Sequence, residues 1–90
     1  GLTALMNYLR VNIRYPAAAQ KAGIEGRVIV SFIVEPNGSV SNVEIVRSVD
    51  TDLDQEALRV VRQMPKWKPG KQDGSTVRVK FHLPIKFMLV

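Results

Sequence analysis

The clearest pattern along the chain is alternation. From Gly26 to Glu35, Val28, Val30, Phe32 and Val34 take one parity and Arg27, Ile29, Ser31, Ile33 and Glu35 the other. Period two with β-branched enrichment predicts a strand. Pro36-Asn37-Gly38 is a tight-turn signal and Ser39 to Arg47 a second β-prone run, so the two runs form a hairpin. The apolar set of the second run changes parity between Val40 and Val43–Ile45, which predicts a β-bulge near Ser41-Asn42. A longer alternation closes the chain. Ser75, Val77, Val79, Phe81, Leu83, Ile85, Phe87 and Leu89 form its apolar parity, against Thr76, Arg78, Lys80, His82, Pro84, Lys86 and Met88. It predicts one long strand with a buried face and a wet, cationic face.

Elsewhere the period is helical. Leu53, Ala57, Val60, Val61 and Met64 line one face of a helix that follows the polar run Ser48–Gln55 and stops at Pro65. Asp52, or alternatively Thr51, is its expected cap, with Gln55 three residues after Asp52 as in a capping box. Tyr15-Pro16 opens an earlier helix of about two turns, because proline suits the first helical position. Ala17 to Ala22 are good helix formers, and Gly23 is placed to end the helix in a left-handed cap. Residues 1–14 carry Leu2, Leu5, Met6, Leu9 and Ile13 at near-helical spacing without a cap, as a short helix or a docked N-terminal arm would. Lys66 to Gly70 is a connector whose Trp67 belongs in the core. These elements predict an α+β two-layer sandwich: a three-stranded antiparallel sheet with two helices on one face.

Ninety residues amount to about one small domain, and 46% hydrophobic with 23% charged residues is ordinary globular composition. No apolar run approaches the ~18 residues that would cross a bilayer. The absence of cysteine excludes disulfides, thiol catalysis and thiolate metal sites, and a single histidine excludes a multi-histidine site. The chain opens at Gly1 without a Met or a signal peptide, as an excised piece would. Thirteen Lys+Arg against eight Asp+Glu give +5, which favours acidic partners: nucleic acid, anionic lipid or acidic peptide. The basic residues are scattered, with no basic tail.

Pro84 changes the reading of the last strand. Proline cannot donate to a ladder, so within a sheet it sits at edges, strand ends or bulges. In an unbroken strand Thr76, Arg78, Lys80 and His82 share its side and point their backbone groups away from the neighbouring strand. The charges themselves can blunt such an edge. The alternative is β-augmentation, in which an extended peptide adds itself as another strand.

Other constellations fail on chemistry. Asp50-x-Asp52-x-Asp54 imitates the start of a calcium loop, but Gln55 stands where glycine is required and Val61 where glutamate is. Acids capping a helix explain these residues better. His82 has a surface parity and no orienting partner, and Ser48 lacks a nucleophile-elbow pattern, so no enzyme chemistry is predicted. Gly23-Ile24-Glu25-Gly26 is a weak match to a GXXG nucleic-acid loop, since it carries an acid and leads into a strand. Tyr8, Tyr15 and Trp67 form no stacking platform. No nucleic acid, metal or cofactor is expected.

The order of motifs resembles the TonB C-terminal domain family. The resemblance rests on Tyr15-Pro16-Ala17-Ala18-Ala19, Gly23 to Val34, Pro36-Asn37-Gly38-Ser39-Val40, Val43 to Ser48, and Leu53-Asp54-Gln55-Glu56-Ala57. Trp67-Lys68-Pro69-Gly70 and Val77-x-Val79-x-Phe81 complete it, over about residues 12–89. The Met64-to-Gly70 form and the Leu83-to-Phe87 ending are similar to the Bacteroidetes branch. The resemblance implies that residues 15–90 form the periplasmic domain of an energy transducer. Such a protein is anchored in the inner membrane by a segment outside these residues and driven there by ExbB/ExbD-like partners. The domain would bind the TonB box, an extended and often acidic segment of an outer-membrane transporter. The family pairs that segment with its last strand, here Ser75, Thr76, Val77, Arg78, Val79, Lys80, Phe81, His82 and Leu83. The segment before Tyr-Pro, here Asn12, Ile13 and Arg14, would also touch the transporter, although well-known enterobacterial members carry Gln-Pro-Gln there. The competing expectations are a sensor or interaction domain of a BlaR-like membrane peptidase, and a homodimer paired through the same edges.

Overall fold

In the computed structural model the alternating run at 26–34 becomes the central strand, β1 (Gly26–Val34). It pairs antiparallel with β2 (Val40–Arg47) on one side and β5 (Val79–Phe87) on the other, giving the order β2-β1-β5. The structure describes residues 2–90; Gly1, and the Leu2 side chain expected on the first apolar stripe, lie outside the described residues. With a strand on each side, β1 is the most buried strand of the sheet. Val28, Val30, Phe32 and Val34 are fully buried, and on the other face Ser31 is buried between half-buried Ile29 and Ile33.

The β1–β2 hairpin slips register twice. Between the Ser31–Glu44 and Ile33–Ser41 pairs β2 carries one extra residue, and Asn42 there has φ 49°. This is the bulge that the parity change predicts. A second slip, between Ile29–Arg47 and Val30–Ile45, leaves Val46 out of the ladder and exposed; the apolar pattern does not announce it. The β1–β5 register runs unbroken from Gly26–Phe87 to Val34–Val79.

Among the described residues three helices contribute to the core side of the sheet, the two expected ones and α1 in place of the arm. α1 (Leu2–Asn12) forms a full helix over the predicted arm and buries Leu9. α2 (Ala17–Lys21) buries Ala19 and ends at Gly23, φ 69°, where the Gly23 and Ile24 amides donate back to Gln20 and Ala19. Pro16 is the residue just before α2, not its first turn. α3 (Thr51–Arg62) buries Leu53, Ala57, Val60 and Val61. Its cap is Asp50, whose carboxylate accepts from the amides of Asp52 at 3.0 Å and Leu53 at 3.3 Å. That corrects the expected Asp52 or Thr51 cap and its capping box, since Asp50 has Leu53 in the third helical place and not a glutamine. Asp54 instead accepts from the Ser48 hydroxyl and the Val49 amide, which tightens the loop into α3.

The long final alternation is divided. β4 (Ser75–Val77) folds back on β3 (Gly70–Gln72) through Asp73 (φ 52°) and Gly74 (φ 80°), and the chain leaves sheet pairing at Arg78 before β5 begins. Two successive residues at positive φ form the tight turn that Asp-Gly favours. The pairing ends at Phe87; Leu89 lies beyond it, its amide bound to Glu25 at 2.6 Å.

Candidate functional site: the outer margin of β5

Among the described residues, β5 has one partner strand, β1. Pro84 lies opposite Ile29 in a register without bulges, so its missing N–H falls on the side away from β1. By alternation Val79, Phe81, Leu83 and Ile85 aim their backbone groups at β1, and Lys80, His82 and Lys86 aim theirs outward. The side chains follow the same parity: Leu83, Ile85 and Phe87 are buried under the helices, and Lys80, His82 and Lys86 are exposed on the open face. Arg27 stands opposite Lys86, which adds to the positive field. Among the described residues, Lys80 and Lys86 make no ion pair.

The stretch expected to bind, Ser75 to Leu83, is shared between two sheets: Ser75, Thr76 and Val77 pair with Gln72, Lys71 and Gly70 of β3, and Val79 to Leu83 belong to β5. Among the described residues, Val79 to Leu83 have an unpaired side. Arg78, at the joint, is bound to Glu35: Nε donates to Oε1 at 2.8 Å and Nη2 to Oε2 at 3.2 Å. The Ser41 hydroxyl also donates to Glu35. These hydrogen bonds, Arg78 first, hold the Glu35 carboxyl below the usual glutamate range.

Asn12, Ile13 and Arg14 lie elsewhere. The Asn12 carbonyl accepts from Arg59 Nη2 at 2.9 Å, the Ile13 amide donates to Leu9 at 2.9 Å, and the Arg14 amide donates to Glu56 Oε2 at 2.7 Å. Arg59 grips the same carboxylate with Nε and Nη2, each at 2.7 Å. Burial pushes the Glu56 carboxyl up, but the hydrogen bonds from Arg59 and Arg14 together outweigh it and leave it lowered. This segment is thus a fastening between α1 and α3. Among the described residues, no hydrogen bond or ion pair joins it to β5.

Three aromatics support the margin from beneath. Phe81 stacks on Phe32 with centroids 5.8 Å apart, and Trp67 lies 5.2 Å from Phe81 and 5.8 Å from Phe32. Trp67 is in turn pinned to the β1–β2 turn, its amide donating to the Gly38 carbonyl at 2.7 Å. The Pro-Asn-Gly turn and the Trp-Lys-Pro-Gly connector therefore work as one unit behind the edge. Among the described residues, no group of three or more His, Asp or Glu stands close enough to hold a metal.

The family described as Gram-negative bacterial TonB protein C-terminal matches residues 11–89. The chain belongs to the TonB C-terminal family. It is 37% identical over 81 residues to the protein TonB of Vibrio cholerae, a match that covers 89% of this chain and 33% of that protein. It is 39% identical over 77 residues to the protein TonB of Helicobacter pylori, covering 84% of this chain and 26% of that one. The chain thus spans a third or less of the length of these curated relatives. Among solved structures, the Helicobacter pylori TonB C-terminal domain superposes with TM-score 0.75 at 29% identity, over 99% of this chain and 80% of that one. The Pseudomonas aeruginosa TonB C-terminal domain gives 0.64 at 26% identity, over 84% and 77%.

Proposed function

We propose that this domain is the periplasmic end of a TonB-like energy transducer, and that it takes the extended TonB box of an outer-membrane transporter as a fourth strand on the outer margin of β5. It acts by binding, not by catalysis. The membrane anchor and the ExbB/ExbD-like partners that harness the proton-motive force would belong to the rest of a protein whose relatives are three times longer. The observation that carries this reading is the side of β5 between Val79 and Leu83 that is unpaired among the described residues, flanked by Lys80, His82 and Lys86. Ladder bonds worth about 0.5–1.5 kcal/mol net each suit a grip that must form and release. The cationic flank favours an acidic residue in the guest. The name carried by the relatives above supports a coupler over a sensor domain.

The test is titration of the ¹⁵N-labelled domain with an acidic extended peptide and with the same peptide carrying internal prolines. Saturable shifts along β5 with the first, and none with the second, are expected. Equal binding of both peptides, or affinity governed only by salt, would contradict strand addition. A sedimentation series in concentration separates peptide capture from pairing of two copies through the same edge.

A further inference from the structure

α3 lies over β1 and β2. α1 is held to α3 by the Tyr8 hydroxyl on the Val60 carbonyl, and its Leu5 and Met6 reach toward β5. Between α1 and the β5 margin opens a groove of about 500 Å³, walled by Leu5 and Met6 on one side and by Phe81 and Leu83 on the other, above Trp67. Its apolar walls are unfinished. Met6 is 49% exposed and Phe81 37%, although Leu83, two residues along the same face, is only 6% exposed.

We propose that this groove is a side-chain pocket for the incoming strand, which accepts one large aliphatic or aromatic residue of the guest beneath α1. The inference rests on strand addition at β5 and follows from register. A strand laid on the outer margin places its helix-side residues about 4.5–5.5 Å, Cβ to Cβ, from Phe81 and Leu83. That position lies in the groove. The intervening residues of the guest fall on the open face, beside Lys80, His82 and Lys86. The guest is therefore an amphipathic extended peptide, apolar toward the helices and acidic toward the open face. Reversing its parity would bury carboxylates against Phe81 without a partner, which is strongly unfavourable. Leu5 and Met6 lie before residue 11, where the family match begins, so one wall of the pocket is supplied by this chain outside the matched region.

The probe is a set of capped heptapeptides with Glu at the odd positions, Thr at the second and sixth, and Leu or Ala at the fourth. A control carries Pro at the third and fourth. Calorimetric titration of the intact 90-residue domain should show the Leu peptide binding about tenfold more tightly than the Ala peptide. Met6→Asn, at an exposed position that should not disturb folding, should reduce that preference to less than threefold. Intermolecular NOEs from the Leu methyls to the Met6 methyl and the Phe81 ring give a readout independent of any variant. Equal affinity of the Leu and Ala peptides, or absence of those NOEs, overturns the pocket while strand addition stands, provided the Pro control fails to bind. A Pro control that binds as tightly as the Leu peptide, or failure of every peptide to bind, overturns strand addition and the pocket with it.

Discussion

Arg78 and Glu35 meet where the chain turns from β4 into β5, with Nε and Oε1 2.8 Å apart. Because the guanidinium lowers the Glu35 pKa, the contact is stabilising above the ordinary glutamate value and is lost as pH falls through the lowered folded value. Arg78 is more than half exposed, so the effect on global stability is small. A carboxyl ¹³C titration should place Glu35 below the ordinary glutamate value. Arg78→Met should move it back up. A midpoint that ignores Arg78→Met would show that another group sets it.

Tyr8 is expected to be a fastener of α1. The last carbonyls of a helix lack intrahelical donors. At the end of α3 the Gln63 and Met64 amides serve Arg59 and Val61, and the Tyr8 hydroxyl reaches the Val60 carbonyl at 2.8 Å. Tyr8→Phe keeps the ring and removes this bond, so urea unfolding should show a loss of about 0.5–1.5 kcal/mol at unchanged m-value. An unaltered midpoint would contradict the role.

Gly38 should tolerate no side chain. At φ +87° an added Cβ would stand 2.2 Å from the Trp67 carbonyl oxygen, whereas at Gly74, φ +80°, it would meet nothing within 4 Å. Gly74→Ala should lose only the left-handed penalty of about 1–2 kcal/mol. Gly38→Ala should lose more and loosen Trp67, seen as a red shift of its fluorescence. Equal losses would mean that the turn and the connector are not coupled.

Much of this architecture is legible along the chain, for physical reasons that particular residues display. Val28, Val30, Phe32 and Val34 declare β1 because its core face has no alternative use, and Pro84 marks the edge because proline excludes the other side. The α1 helix is legible only as an arm or a helix. What fixes it is long-range: Tyr8 to Val60 and Arg59 to Asn12 join residues far apart in sequence. Asp73-Gly74 is a strong turn signal, but Lys71, Gln72, Ser75 and Thr76 around it are polar, so no apolar alternation marks a hairpin there. The Asp50 cap competes with Asp52 on equal sequence terms, and backbone geometry alone separates them. The groove cannot be read at all before α1 is placed.

Lys80→Pro should separate binding from folding. Residue 80 directs its amide outward, so proline removes a donor that only a guest would use. Affinity for the Leu heptapeptide should fall about two- to tenfold with the melting temperature nearly unchanged. Phe81→Pro removes an inward ladder bond and the stacking on Phe32, and thermal unfolding should reveal a clear loss of stability. Parallel behaviour of the two variants would reverse the assigned sides of β5.

Amide hydrogen exchange along β5 is the most direct measurement, because it reads which backbone groups lack partners. In the free monomer, Phe81, Leu83 and Ile85 should exchange slowly and Lys80 and His82 rapidly. At saturating Leu peptide, Lys80 and His82 should join the slow set. Protection of both in the free monomer, or rapid exchange of both with the peptide bound, would contradict the account.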